Sequence, residues 1–213
     1  KNTHETIREN WVIGKWMLLT SLLQWFSGNL WVVNAGLILG PYMLGVIRAC
    51  QTLLNISNII FQSIENIIPR KTSKKFNLGG VKEMKLYLKK FTQRGLIIIA
   101  LITLLIIINA KFLLNIIYGV EIANYHQVLI FISIIIPINF LQYAPTYGLR
   151  TLGKTKPIFI AFLFSSIFSL LSSKLIITYF DIEGFIFGLY ATQIIIVCIL
   201  YISFSKYLKI GKI

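Results

Sequence analysis

The sequence predicts an all-α integral membrane protein, and three features of its 213 residues lead to this fold class. Hydrophobic residues make up 56% of the chain, and the mean hydropathy is +0.77. The apolar run from Leu96 to Ile108 contains one threonine and no charge, which a soluble domain of this size has no room for. Such runs lack the alternation of a membrane β-barrel, so the spans are predicted to be helices that satisfy their own backbone polar groups.

Six membrane-spanning helices are predicted from the positions of the apolar runs. They cover residues 13–35, 41–68, 92–114, 126–149, 157–180 and 185–207. A basic loop, 69–91, separates the second span from the third. The chain opens with Lys1 rather than Met and has no recognisable signal peptide, so we expect a fragment whose preceding part is missing.

The net charge of +14 is explained by membrane topology rather than by a nucleic-acid partner. With the N-terminus in the cytoplasm, three basic residues (Lys1, Arg8 and Lys15) lie before or at the start of the first span, nine lie from Arg70 to Arg94, three lie in the next inside loop and three lie at the end of the chain. Together these are 18 of the 21 Lys and Arg residues. An excess of positive charge in cytoplasmic loops sets the orientation of membrane proteins. We therefore expect a multi-pass protein with both ends of this chain in the cytoplasm.

The first predicted span carries polar side chains at helical spacing. They are Thr20, Gln24, Ser27, Trp31 and Asn34, and they share one face of the helix. Such a face is typical either of a cavity wall or of hydrogen bonding between helices in a dry bundle, where Ser, Thr, Asn and Gln are common. This span alone leaves both interpretations open.

The second predicted span carries a longer polar face. Its members recur every three or four residues, and they are Arg48, Gln51, Thr52, Asn55, Asn58, Gln62, Glu65 and Asn66. Two consecutive helices with polar faces can enclose water between them. The pair therefore predicts a wet cavity.

Arg48 is the residue in this pattern that points to a ligand. An arginine within a span is costly unless it meets water, a counter-charge or an anionic ligand. Its planar guanidinium group suits phosphate or carboxylate. The alternative is a structural arginine that donates hydrogen bonds to carbonyl groups of a neighbouring helix.

The basic loop and the later spans carry weaker signals. Lys82, Lys85 and Lys89, close to Leu86 and Leu88, suggest a short surface helix on anionic lipid, and a solvated linker is the alternative. The third span is apolar apart from one threonine and is expected to face lipid. Small residues in the last two spans indicate close helix packing. They are Ser165, Ser169, Ser172, Ser173, Gly184 and Gly188.

No catalytic or metal-binding signature is present in the sequence. Gly148 to Thr155 satisfies the spacing of a phosphate-binding loop, but that motif works only between a strand and a helix of an α/β domain. Here it lies between two membrane spans, and we expect a tight basic turn. Cys50 and Cys198 both lie within spans and are expected to be packing residues rather than a disulfide. We therefore predict no enzyme activity, no catalytic residue, no metal and no cofactor.

Five short segments, in order, resemble the C-terminal half of bacterial polysaccharide flippases. They are Leu39–Gly45, Ile68–Arg70, Leu113–Gly119, Tyr147–Lys154 and Phe180–Gly184. These flippases form the Wzx-type branch of the MOP superfamily, which also includes the MATE exporters and the lipid II flippases. The order and spacing of the segments cover nearly the whole chain.

The resemblance implies a transporter of two six-helix lobes, with this chain as the second lobe and the N-terminal lobe absent. In that family the first two helices of each lobe line a cavity that opens alternately to the two membrane faces. The family moves undecaprenyl-diphosphate-linked oligosaccharide units across the bacterial cytoplasmic (inner) membrane for O-antigen of lipopolysaccharide, capsule or teichoic acid. The implied partners are this substrate, the lipid bilayer, the missing lobe, and a polysaccharide polymerase with other assembly proteins.

The predicted substrate site combines this resemblance with the two polar faces. Arg48 is expected to attract the diphosphate, and six other side chains are expected to meet sugar hydroxyl groups. These six are Gln24, Trp31, Gln51, Asn55, Asn58 and Gln62. The presence of one arginine rather than several departs from the family pattern.

Three other functions remain open from the sequence. A MATE-type multidrug or cation exporter would be expected to place a carboxylate in its cavity, and Glu65 is the one available. A membrane-embedded glycosyltransferase or polymerase would be expected to carry a large hydrophilic loop with catalytic acids. A non-transporting scaffold of an envelope synthesis complex would have a dry bundle in place of the cavity.

Overall fold

The computed structural model describes the backbone of residues 3–210, which is helical almost throughout. It describes the side chains of the same stretch except for residues 3–10, 12, 13, 16, 17, 56–60, 63, 209 and 210. The helices are α1 (Thr3–Leu54), α2 (Ile56–Ile108), α3 (Ala110–Tyr118), α4 (Val120–Ala123), α5 (His126–Ser133), α6 (Ile135–Leu141), α7 (Tyr143–Thr151) and α8 (Lys156–Ile210). The predicted all-α class is confirmed.

Three of the long helical stretches are interrupted by residues with non-helical backbone angles. α1 breaks at Gly40 (φ 85°), α2 at Gly79 and Gly80 (φ 63° for Gly80), and α8 at Asp181 (φ 48°). Positive φ favours glycine because it has no Cβ, and aspartate tolerates this region better than most residues. At the first break, Pro41 follows as the first residue of the next helical segment, a position where its missing N–H costs nothing.

Four helical stretches of the described chain are long and apolar enough to cross a membrane. They are Leu18–Leu54, Ile64–Ile108, His126–Thr151 and Lys156–Leu208. The multi-pass character predicted from the sequence is therefore confirmed, while the number of crossings stays a prediction.

α1 packs mainly against α8, and hydrogen bonds between side chains join the two helices. The indole Nε1 of Trp31 donates to Ser169 Oγ and to Thr192 Oγ1, both at 3.0 Å. One turn further along α1, Asn34 Nδ2 donates to Ser173 Oγ at 2.7 Å. Ser169 and Ser173 of the fifth predicted span therefore join α8 to α1, as the sequence predicts. Ser165 and Ser172 instead donate to carbonyl oxygens of α8 itself.

Gly188 allows α8 to approach α1 closely. A Cβ atom at this position would overlap the ring of the fully buried Trp31. The predicted role of this glycine in close helix packing is thus confirmed.

We expect Gly188→Ala to destabilise the protein by about 1–3 kcal/mol, because the rigid indole ring has no room to move within a packed core. Thermal unfolding in detergent measures the effect. Gly45→Ala is the matched control, since no atom lies within 4 Å of a Cβ there, and its unfolding temperature should be unchanged or slightly higher. Equal unfolding temperatures for the two variants would show that the close approach contributes nothing to stability.

The basic segment 69–91 is helical on both sides of the Gly79–Gly80 break. Met84 and Leu88 are buried in a core cluster that also contains Tyr147 and Phe204. The lysines of this segment are exposed. The segment is thus built into the helical packing, and Leu88 faces the core rather than a lipid surface.

Further along α2 the exposed side chains are apolar. Ile97, Leu101, Leu104 and Ile108 are all more than half exposed, whereas Thr103 is buried and donates to the carbonyl oxygen of Ile99. This surface suits hydrocarbon, which agrees with the predicted lipid-facing character of the third span.

Candidate functional site

A cavity of about 450 Å³ lies where α1 and the start of α2 face α5, α6 and α8. Its apolar lining includes Phe61, Ile132, Ile136 and Ile196, which belong to three separate core clusters. The cavity therefore lies at the junction of these clusters. Three of its polar lining residues, Arg48, Thr52 and Asn55, are exposed.

Arg48 reaches the cavity from the α1 segment that follows the Gly40 break. Its Nη1 donates to Gln51 Oε1 at 3.2 Å, one turn along the same helix. In the described part of the chain it forms no ion pair with a carboxylate and no hydrogen bond to a carbonyl group of a neighbouring helix. The alternative of a structural arginine held by such carbonyls is therefore not what the structure shows. Arg48 is exposed and lines the cavity, so the remaining N–H groups of its guanidinium are available to an anion.

The opposite wall supplies neutral polar groups. Asn139 comes from α6, Gln142 lies between α6 and α7, and Thr192 and Gln193 come from α8. The Nε2 atom of Gln193 is buried and has no hydrogen-bond partner among the described residues. Because an unpaired buried donor is costly, this amide is a natural contact for an oxygen atom of a ligand.

The structure brings together four of the seven predicted site residues. Gln24, Arg48, Gln51 and Asn55 all line the cavity. The polar faces of the first and second predicted spans thus meet at one place.

The other three predicted residues are placed differently. Trp31 does not line the cavity, because its ring is fully buried among apolar residues and its N–H is satisfied by Ser169 and Thr192. Gln62 is exposed and is not among the lining residues, since the polar face of the second span continues past the end of the cavity. The side chain of Asn58 lies outside the described residues.

The polar lining residues of α8 were not predicted from the sequence. Thr192 and Gln193 are adjacent polar residues within an otherwise apolar stretch, and this isolated pair was the available signal. Asn139 and Gln142 occur at helical spacing in the fourth predicted span, but periodicity within one helix does not tell which other helix it faces.

A smaller pocket of about 100 Å³ adjoins the cavity and shares Gln24, Gln142 and Phe162 with it. Its other lining residues include Glu65 and Arg150. The predicted carboxylate of the second span is therefore located beside the cavity rather than within it.

The phosphate-loop match at Gly148 to Thr155 adopts a different structure. Gly148 is buried against Phe204 within α7, and Gly153 has a φ of 67° in the turn that follows. The segment forms a helix end and a tight basic turn, as expected from its place between two apolar stretches.

The cavity lining can bind a ligand that combines negative charge with hydroxyl groups. Among the described lining residues there is one cation, Arg48, and no carboxylate. The amide and hydroxyl side chains around it both donate and accept hydrogen bonds. No group of three or more metal-ligating side chains occurs in the described part of the chain.

Comparison with known proteins identifies the family of the chain. A search of curated proteins and a search of solved structures both found no significant match. The MatE family model matches residues 17–175, which is well over half of the chain and includes most of α1 and all of α2. Proteins of this family are transporters rather than enzymes. The chain therefore belongs to the MatE family of membrane transporters, within the MOP superfamily.

Proposed function

We propose that the chain is one lobe of a flippase that moves undecaprenyl-diphosphate-linked oligosaccharides across the bacterial cytoplasmic membrane for surface polysaccharide synthesis. The observation that carries this proposal is the chemistry of the cavity. One arginine without a counter-charge lies among neutral amide and hydroxyl groups. A diphosphate matches the first feature and sugar hydroxyl groups match the second.

The proposed lobe crosses the membrane six times. α8 has 55 residues, which is about 80 Å of helix and more than twice the hydrocarbon thickness of about 30 Å. The break at Asp181 is therefore suited to a turn between two crossings. Gly40 and the Gly79–Gly80 pair also fall between predicted spans, which supports the same interpretation for α1 and α2.

The size of the cavity favours partial enclosure of the substrate by this lobe. Its volume of about 450 Å³ lies within the range of about 300–1,000 Å³ that is usual for small-molecule pockets. The diphosphate and the first sugar fit such a volume, and a longer oligosaccharide requires a second wall. In this proposal an N-terminal lobe supplies that wall.

A cation exporter is the second candidate, and the position of Glu65 favours it. This carboxylate lines the pocket that adjoins the cavity, where a cationic substrate or a coupling ion could reach it. We rank this function second because the larger cavity carries a positive charge and, in its described lining, no negative one.

Thiol labelling of Asn55→Cys tests both candidates. Both native cysteines are first replaced, by Cys50→Ala and Cys198→Ser, so that the introduced cysteine is the one labelled. Leu101→Cys, on the apolar face of α2, is the control. We expect a water-soluble thiol reagent to label position 55 and not position 101, because the cavity holds water and Leu101 faces lipid.

Protection from labelling then identifies the ligand. An added undecaprenyl-diphosphate-linked saccharide should slow the labelling of position 55, whereas a lipophilic cation should not. Protection by the cation alone would favour the exporter. Failure to label position 55 would contradict a wet cavity and would support a scaffold with a dry bundle.

A further inference from the structure

A groove of about 430 Å³ lies on the outer side of α2 and α6. Its floor is apolar and includes Phe91, Ile98, Ile99 and Phe140. Lys90 and Arg94 line one edge. The groove thus combines an apolar surface with two cationic side chains.

The groove is distinct from the candidate substrate cavity. Phe61, Ile99, Ile136 and Phe140 form one core cluster. Phe61 and Ile136 line the cavity, whereas Ile99 and Phe140 line the groove. This cluster is therefore the wall between the two spaces, and a ligand in the groove would not contact Arg48.

The two cations at the edge of the groove have no acidic partner among the described residues. Lys90 and Arg94 are both exposed and lie four residues apart, on the same face of α2. The nearest ion pair on this helix, between Lys75 and Glu83, lies more than one turn before them. Their charges are available to an external anion.

The groove also spans a change of polarity along α2. Before Arg94 the exposed positions include lysines, and after it they include Ile97 and Ile98, which are 64% and 57% exposed. In a membrane helix such a change marks the boundary between the lipid headgroups and the hydrocarbon. By helix rise, Lys90 and Ile98 are about 12 Å apart, so the groove extends from headgroup level into the hydrocarbon.

We propose that this groove binds an anionic phospholipid, with its phosphate between Lys90 and Arg94 and an acyl chain on Phe91, Ile98 and Phe140. A soluble anion would use the two cations and leave the apolar floor uncovered. A neutral hydrocarbon would cover the floor and leave both charges unpaired. An anionic lipid satisfies both features at the depth where the groove lies.

Retention of lipid by the purified protein tests whether Lys90 and Arg94 bind the phosphate of the lipid headgroup. The purified protein is exchanged into micelles that contain phosphatidylglycerol and phosphatidylcholine with identical acyl chains, and bound lipid is counted by native mass spectrometry. We expect selective retention of phosphatidylglycerol, weakened about tenfold to thirtyfold in the double variant K90Q/R94Q. The matched control is K82Q/K85Q, which removes two exposed lysines of the same helix away from the groove and should change retention by less than about twofold.

A bulky side chain placed in the groove tests whether the acyl chain of the lipid binds there. Ile98→Trp should reduce retention of phosphatidylglycerol, whereas Ile97→Trp, at a neighbouring exposed position that does not line the groove, should leave it unchanged. Inorganic phosphate should not displace the lipid. Equal retention of the two lipids, equal losses in the two glutamine variants, no effect of Ile98→Trp, or displacement by phosphate would each overturn the proposal.

Discussion

Arg48→Gln is expected to reduce delivery of surface polysaccharide by about thirtyfold to 150-fold, while the amount of protein in the membrane stays the same. The substitution removes charge-assisted hydrogen bonds to the substrate diphosphate, which together contribute about 2–3 kcal/mol. Stability should not change, because Arg48 is exposed and its described hydrogen bond goes to Gln51 on the same helix. Quantification of surface polysaccharide beside an immunoblot of the membrane fraction measures both quantities.

Two control variants define the cause of the loss. Arg48→Lys keeps the charge but loses the planar fork of donors, so an intermediate loss is expected. Lys111→Gln removes an exposed cation of α3 outside the cavity and should have no effect. Normal polysaccharide in the Arg48→Gln strain would remove this residue from the proposed site.

Trp31→Ala is expected to cause the largest loss of stability, about 3–5 kcal/mol. The side chain is fully buried, packs against Gly188 and donates to hydroxyl groups of two α8 residues. Its removal leaves a cavity between α1 and α8 and weakens the main helix contact of the protein. Denaturant unfolding in detergent, followed by circular dichroism, measures the change in the free energy of unfolding.

The chain offers a matched tryptophan on the same helix. Trp25 is 65% exposed, and Trp25→Ala should change the free energy of unfolding by less than about 0.5 kcal/mol. Trp31→Phe should cost less than Trp31→Ala, because phenylalanine keeps much of the buried ring and the existing hydrogen bond between Ser169 Oγ and Thr192 Oγ1, at 3.3 Å, leaves both hydroxyl groups with a partner when the indole N–H is removed. Similar losses for Trp25→Ala and Trp31→Ala would contradict the structural role of Trp31.

Helical periodicity predicted the part of the site that lies on consecutive helices. Gln24, Arg48, Gln51 and Asn55 were found because a polar face within a membrane helix must meet water or other polar groups, and these four do line one cavity. The same reasoning included Trp31 wrongly among the lining residues. Its position on the polar face is correct, but the close approach of Gly188 encloses it within the core.

The remaining part of the site depends on contacts between distant segments. Asn139, Thr192 and Gln193 come from helices whose relative rotation is fixed by packing, and periodicity within one segment does not report it. The extent of the polar face was also misleading at Gln62, because a helix can be longer than the cavity that it lines.

The groove beside Lys90 and Arg94 was not predicted from the sequence for a related reason. Its cations lie four residues apart on one helix, but its floor includes Phe140 from α6.

Translocation in liposomes by the purified transporter, with this lobe and its proposed N-terminal partner lobe both present, tests the proposed function most directly. A fluorescent undecaprenyl-diphosphate-linked saccharide is placed in both leaflets, and its movement between them is followed with a membrane-impermeant quencher. We expect rapid exchange with the wild-type protein and slow exchange with Arg48→Gln or with protein-free liposomes, without competition from a lipophilic cation. Exchange at the protein-free rate in wild-type liposomes, together with transport of the cation, would contradict the flippase and identify the protein as an exporter.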